Sequence, residues 1–229
     1  METKYVVGED ISIEEFLNFY KKKRNYIFRG CNSKKHKLIP TLYRTEKVED
    51  DYLIETEHKK FLEFLLAKNR KRYNWDQSIL RYMAAQHYGC KTKLLDFTTN
   101  PFIALCFAIY EWPTNDINDK TDGAIYALDT DSPRIYSVKT LHESGILLRE
   151  YLTNGLATTH CLIQIRNMPG NNIHDPRERM KKQSGCFVYF SRNTEIDKKA
   201  YVKYIIRKEE KHKIHQFLVR NKIFIEDYI

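Results

Sequence analysis

The sequence has little of what marks secreted or zinc-binding proteins. Its five cysteines are an odd number at wide spacing, and no CxxC pair occurs. A disulfide framework is therefore disfavoured, and a reducing cytoplasm is the expected compartment. The close histidine pair His212 and His215 has no cysteine near it, so we expect no metal site.

Long apolar runs and common nucleotide-binding loops are also missing. No apolar run approaches the roughly 20 residues of a membrane-spanning helix, so no membrane partner is expected. The opening METKYVVGEDISIEE has early acidic residues and no apolar core, which is unlike a secretory signal. No GxxxxGK[ST], GxGxxG, GxSxG or HExxH pattern is present. These absences disfavour a P-loop, a Rossmann cofactor site and a serine-hydrolase elbow.

Positive charge is in excess. Lysine and arginine total 39 against 30 acidic residues, a formal net charge of +9. The basic residues cluster at 21–24, 34–37, 68–72 and 177–182. This pattern favours an anionic partner, either RNA or a nucleotide, or the acidic face of a protein such as an antitoxin. Basic helix surfaces that only keep the protein soluble are an equally good interpretation.

Capping residues predict where several helices begin and end. Ser12 with Glu15 forms a capping box that opens a helix to about residue 22. Gly89 stands where a helix needs a left-handed cap. Asn100 caps an apolar helix whose first position is Pro101. Further helices are predicted at 51–72, 76–88 and 208–220.

Runs of apolar residues beside turn signals predict the strands. The predicted strands are residues 25–29, 93–97, 123–129, 160–166, 185–190 and 201–207. Helices fall mainly in the first half of the chain and strands in the second. This arrangement predicts one α+β domain over residues 1–229, with an N-terminal helical part.

Three polar clusters stand beside predicted strands. The first is Phe28-Arg29-Gly30, where an arginine at a strand end can bind an anion with two hydrogen bonds. The second cluster consists of Gln86, His87, Thr92, Asp96, Thr98, Thr99 and Asn100. The third cluster runs from Arg179 to Gly185 and contains Gln183. We predict that Arg29, His87, Asp96, Thr98 and Gln183 line one cleft.

Each of these residues also has a purely structural interpretation. Arg29 could lie on the surface, His87 could be a satisfied structural histidine, and Gln183 could cap backbone groups. Asp96 follows two leucines, so we expect it to be at least half buried. A buried carboxylate must be paired, and Lys93, Arg29 or a threonine hydroxyl could be its partner.

Together these motifs resemble the FRG domain family, which is named for its Phe/Tyr-Arg-Gly motif. The family pattern QHxGxPTRLLDWTxNPxxALxFA is similar to QHYGCKTKLLDFTTNPFIALCFA at residues 86–108. A third pattern, R-[IM]-x-x-Q-x-G-x-F, resembles residues 179–187, so the core motifs span 25–190. Lys91, Lys93 and Phe97 depart from the usual Pro, Arg and Trp. A lysine at position 93 lacks the planar fork needed for bidentate binding.

A second resemblance, to the ADP-ribosyltransferase fold, lies in the order of the elements. An arginine on an early strand precedes a hydroxyl-rich strand that runs into a helix, and a polar residue precedes a late strand. The resemblance implies central sheets and NAD as the substrate. It assigns NAD binding to Arg29, Gln86, Thr92, Thr98, Thr99 and Asn100. It assigns catalysis to Gln183, Asp96 and His87.

The implied function is an ADP-ribosyltransferase-like enzyme that modifies RNA or protein, as a toxin or an antiphage effector. Glutamine stands at 183, where the resembled enzymes have a catalytic glutamate. It carries no charge to stabilise an oxocarbenium ion, so Asp96 or Glu178 would have to supply it. The alternatives are a non-catalytic FRG module that binds nucleotide or nucleic acid, and a protein-interaction domain.

Overall fold

A computed structural model describes the chain in eight ranges. The described residues are 3–21, 23–44, 86, 89–132, 135–138, 160–164, 180–190 and 195–228. The helices predicted at 51–72 and 76–88 lie outside these ranges, apart from Gln86. Within the described ranges, no helix combines the length and apolar character needed to cross a bilayer.

Eight of the described strands form one sheet, in the order β1-β10-β6-β2-β3-β9-β8-β7. These strands are β1 (Thr3–Val7), β2 (Tyr26–Cys31), β3 (Leu94–Thr98), β6 (Gly123–Asp129), β7 (Ile135–Val138), β8 (His160–Gln164), β9 (Gly185–Tyr189) and β10 (Tyr201–Ile206). β4 (Tyr110–Glu111) and β5 (Asp116–Ile117) pair separately. β1 runs parallel to β10 and β7 parallel to β8, whereas the other described pairs are antiparallel.

The six strands predicted from the sequence are all present, with ends that differ by at most two residues. β1 was not predicted, because TKYVV is short and finds its partner only at the far end of the chain. The described helices are α1 (Ile13–Lys21), α2 (Pro101–Ile109) and α3 (Lys211–Arg220). The architecture is therefore a mixed α/β fold, as the sequence predicts.

The central strands bury side chains on both faces of the sheet, to which consecutive residues of a strand point in turn. The face that carries Phe28 and Ile125 packs against α1, α2 and α3. The opposite face carries Ile27, Tyr126 and Leu95 and packs against the segment 38–43 and residues 196–201. The central strands β2 and β6 are thus covered on both sides.

Gly30 lets α2 lie directly on β2. A Cβ atom at this position would stand 1.9 Å from the carbonyl oxygen of Ala104. No side chain other than hydrogen fits in that space, so this glycine is required by a backbone contact. The same contact fixes β2, and with it Arg29, against α2.

Local capping chemistry is confirmed at two predicted positions, and Gly89 has the predicted backbone conformation beside a helix that lies outside the described residues. The amide of Glu15 donates to Ser12 Oγ at 3.1 Å, and the amide of Ser12 donates to Glu15 Oε2 at 2.8 Å. Asn100 Oδ1 accepts from the amide of Phe102 at 3.0 Å, at the start of α2. Gly89 has a left-handed φ of 87°.

Candidate functional site

The sheet separates near its centre, between β2 and β3. These two strands pair only at Phe28 and Thr98, whereas β2 forms a long register with β6, and β3 forms one with β9. A cleft of about 380 Å³ lies at this separation. Its lining includes Phe28 from one face of the sheet and Arg29 and Phe97 from the other. The cleft therefore passes between the strands rather than lying on one face.

Arg29 reaches across this gap. Its Nη1 donates to the backbone carbonyl of Asp96 at 2.7 Å and lies 3.8 Å from Asp96 Oδ2. The side chain is only 19% exposed. Its Nε is buried and has no hydrogen-bond partner among the described residues. A buried guanidinium donor without a partner is uncommon in a folded protein, because leaving it unsatisfied is unfavourable.

Asp96 is more exposed than the sequence predicts. The prediction that it is at least half buried is wrong, since 60% of its side chain is accessible. The reason is the pleat of β3: Leu95 and Phe97 enter the core on one face, and Asp96 projects to the other, at the cleft. Of the three partners considered for Asp96, Arg29 forms the ion pair, while Lys93 is buried with its Nζ over the ring of Tyr43.

Gln86 completes the polar side of the cleft. Its Nε2 donates to Asp96 Oδ1 at 2.7 Å. Its Oε1 accepts from Thr92 Oγ1, which in turn accepts from the amide of Leu94 at 3.1 Å. Thr92 is 5% exposed and is not part of the cleft surface. Its role in the structure is to orient the Gln86 amide so that the NH₂ group faces Asp96.

Thr98, at the end of β3, forms a hydrogen bond to the backbone of Gln183. Thr98 Oγ1 donates to the carbonyl of Gln183 at 2.7 Å and accepts from the amide of Asn100 at 3.0 Å. The amide of Thr99 donates to the carbonyl of Ser184 at 2.9 Å. These bonds hold the turn before β9 against β3, so Gln183 lines the same cleft as Arg29.

The structure thus brings Arg29, Asp96, Thr98 and Gln183, as well as Gln86, to one cleft. Thr99 and Asn100, predicted to bind the same ligand, do not line it. They line a neighbouring groove instead, because Asn100 is turned away to cap α2. His87 lies outside the described residues. The chemical roles of all these residues remain predictions.

A second arginine and a histidine lie near Arg29. Burial and the charge of Arg29 lower the pKa of Arg44. Burial, followed by the charges of Arg44 and Arg29, lowers the pKa of His36. Arg44 and His36 therefore lie near Arg29, although neither lines the cleft. Among the described lining residues, Arg29 is the one cation and Asp96 is the one carboxylate.

Several lining residues are apolar and were not predicted as site residues. Phe107, Met180 and Phe187 line the cleft together with Trp112, which is 55% exposed. Phe107, Met180 and Phe187 lie in the matched motifs but look like core residues in the sequence. Nothing in the sequence connects Trp112 to the cleft. No group of three metal-ligating side chains occurs within the described ranges.

Comparison with known proteins gives one match. The family model of the FRG domain matches residues 24–116. The matched segment contains Arg29, Gln86, Asp96 and Thr98 but ends before Gln183. No curated protein and no solved structure matches the chain.

Proposed function

We propose, from the match of residues 24–116 to the FRG domain model, that the cleft between β2 and β3 binds NAD and that the protein transfers ADP-ribose from it to RNA or protein. The observation that carries the proposal is the buried, unpartnered Nε of Arg29 at a cleft where polar residues from three distant segments meet. A ligand with an anionic group would pair with this guanidinium, which lines the cleft.

The residues present fit such a ligand. Guanidinium presents five N–H donors in a planar fork, which matches the oxygen atoms of a phosphate. Only Nη1 of Arg29 is bound, to Asp96, among the described residues. The cleft volume of about 380 Å³ lies in the range of small-molecule sites. Phe187 and Trp112 supply apolar ring surface for a planar base.

The chemistry proposed is substitution at the ribose. The bond between ribose and nicotinamide breaks, nicotinamide leaves with the electron pair, and an acceptor atom attacks the ribose carbon and loses a proton. Positive charge develops on the ribose during this step, and a carboxylate would stabilise it. Gln183 can donate or accept a hydrogen bond at a ribose hydroxyl, and Asp96 is the described carboxylate of the cleft.

A second candidate is a module that binds a nucleotide without turnover. It is favoured by the side chain at 183, since a glutamine cannot stabilise the developing charge as a carboxylate does. In this case the same arginine and the same cleft bind the ligand, and the ligand leaves unchanged.

One experiment separates these possibilities. The protein is incubated with NAD labelled in the nicotinamide ring, with RNA and with protein acceptors, and nicotinamide release is measured beside calorimetric NAD binding. Arg29→Ala should raise KM at least tenfold and change kcat less, because an anchor binds substrate and transition state alike. Arg29→Lys retains the charge and should give an intermediate KM.

Arg220→Ala is the matched control, since Arg220 is exposed on α3, outside the cleft. It should leave both constants unchanged. NAD binding without release, in wild type and with every acceptor, would assign the protein to the binding-module alternative. Absence of NAD binding would refute the proposal as a whole.

A further inference from the structure

A second cavity, of about 750 Å³, adjoins the cleft. It lies among α1, the turn that follows it, the first residues of α2 and the end of α3. Its principal lining residues are Lys21, Lys23, Arg24, Tyr26, Phe102 and Phe217. We call it the basic groove.

The groove carries unneutralised positive charge. Lys21, Lys23 and Arg24 line it against a single lining carboxylate, Glu14. None of the three cations forms an ion pair within the part of the chain that the structure describes. By contrast, Lys34 pairs with Asp122 elsewhere on the surface. A groove with this balance attracts an anionic partner.

Aromatic rings alternate with these cations. Lys23 Nζ lies 4.0 Å from the ring centre of Phe19 and 5.6 Å from that of Tyr26. Phe19 is 48% exposed, and Phe102 and Phe217 are partly exposed. An acidic peptide would use the cations but not the ring faces. A single-stranded polynucleotide would use both, with phosphates on the cations and bases stacked on the rings.

The groove and the cleft meet at the end of β3. Thr98 lines the cleft, and the next residue, Thr99, lines the groove. The carbonyls of Gln183 and Ser184 accept from these two residues, so the turn before β9 is hydrogen-bonded to a lining residue of each cavity. A nucleic-acid strand bound in the groove therefore comes near the wall of the cleft, where Thr98 and Thr99 meet.

We infer that the basic groove binds a single-stranded polynucleotide and, where the proposed function holds, presents it to the cleft as the acceptor. The polynucleotide contacts come from Lys21, Lys23 and Arg24 through phosphates and from Phe102 and Phe217 through bases. Only the acceptor role of the polynucleotide rests on the proposed function. Its binding in the basic groove is independent of that function.

The test measures binding without NAD. A fluorescent 12-residue single-stranded RNA and the DNA of the same sequence are titrated with the protein, and anisotropy is recorded at several salt concentrations. The triple variant Lys21→Glu, Lys23→Glu, Arg24→Glu should weaken binding at least tenfold. Its plot of log affinity against log salt should lose about 2 units of slope, since each phosphate contact on a single strand contributes roughly 0.7.

A charge-matched control keeps the test specific. Lys4→Glu, Lys198→Glu and Lys199→Glu together change the net charge equally but lie outside the groove. The polynucleotide affinity of this variant should fall less than threefold. Phe102→Leu with Phe217→Leu retains apolar volume and should weaken binding several-fold without changing the salt slope. Melting curves establish that each variant is folded.

Three outcomes would overturn the inference. The first is an equal loss of polynucleotide affinity in both triple variants, which would show that the polynucleotide is attracted to any basic surface of the protein. The second is an unchanged affinity in the ring variant together with tight binding of a poly-glutamate peptide, which assigns the groove to an acidic protein. The third is no binding of RNA or DNA by the wild type. NAD binding should persist in the groove variant and polynucleotide binding in Arg29→Ala, so this failure is distinguishable from failure of the proposed function.

Discussion

Arg29 donates through Nη1 to the backbone carbonyl of Asp96 at 2.7 Å, across the separation between β2 and β3. The bond joins the two halves of the sheet next to the single residue pair that connects these strands. It also fixes the guanidinium before any ligand arrives. An anion that binds there gains from this preorganisation, because little rotamer entropy of Arg29 remains to be lost.

Replacement of Asp96 should have a small effect on stability. Its side chain is 60% exposed, and exposed ion pairs contribute about 0–1 kcal/mol. We therefore expect Asp96→Ala to lower the free energy of unfolding by about 1 kcal/mol or less, measured by urea denaturation. A loss of several kcal/mol would show that Asp96 carries a buried charge after all. The control is Asp116→Ala, another exposed strand carboxylate.

Gln183→Glu tests whether missing charge limits turnover. If a carboxylate at the ribose stabilises the transition state, the variant should increase kcat for nicotinamide release by tenfold or more, since 1.4 kcal/mol corresponds to about tenfold. Gln216→Glu makes the same exchange on the exposed face of α3 and should leave kcat unchanged. If Gln183 only caps backbone, Gln183→Glu will lower the melting temperature and leave the rate as it was.

Gly30→Ala should be strongly destabilising. The added Cβ would stand 1.9 Å from the Ala104 carbonyl oxygen, which belongs to backbone and cannot turn aside. We expect a loss of about 3 kcal/mol or more, since overpacking of this kind displaces the helix from the strand. Gly89→Ala is the comparison, because nothing lies within 4 Å of its added Cβ and only its φ of 87° is strained. That strain costs about 1–2 kcal/mol, so similar losses in the two variants would contradict the steric explanation.

Lys211 should make stability rise with pH above about pH 8. The side chain is fully buried, and Nζ donates to the carbonyl of Asn32 at 3.1 Å. Burial lowers its pKa from 10.5 to about 8. Between these values the unfolded chain binds more protons than the folded chain, so the free energy of unfolding increases by about 1.4 kcal/mol per pH unit. Below pH 8 the lysine is protonated in both states and adds no slope.

The measurement is urea denaturation at pH 7, 8, 9 and 9.5, below the range where unfolded tyrosines ionise. Wild type should gain about 2 kcal/mol relative to Lys211→Met, which replaces the buried amine with an apolar side chain of similar length. Lys213→Met, an exposed position on the same helix, should keep the wild-type slope. Parallel curves for wild type and Lys211→Met would show that Lys211 does not titrate in this range.

Local chemistry made part of this fold predictable. The Ser12 capping box and the Asn100 cap depend on residues three or fewer positions apart, and both were predicted from the sequence. β1 was not predicted, because its pairing depends on β10, nearly the whole chain away. Burial of Asp96 was predicted wrongly. Its apolar neighbours Leu95 and Phe97 point to the opposite face of β3, so they indicate that this other face is buried and not that Asp96 is.

The site was predictable to a similar degree. Polar residues beside strands correctly indicated that Arg29, Asp96 and Gln183 meet. They could not show that Thr99 and Asn100 face a different cavity. That distinction depends on where β3 ends and α2 begins, and a shift of one residue moves a side chain from one cavity to the other. Trp112 joins the cleft through tertiary packing alone.

The sheet order also affects when the cleft can form during synthesis. β3 lies between β2, which precedes it in the chain, and β9, which follows it by about 90 residues. At roughly 5–20 residues per second, about 8–30 s separate the synthesis of Arg29 from that of Gln183. For the part of that interval that follows the synthesis of β3, one edge of β3 has no partner strand and is open to pairing with other chains. A nascent chain therefore has no complete cleft until β9 has been made.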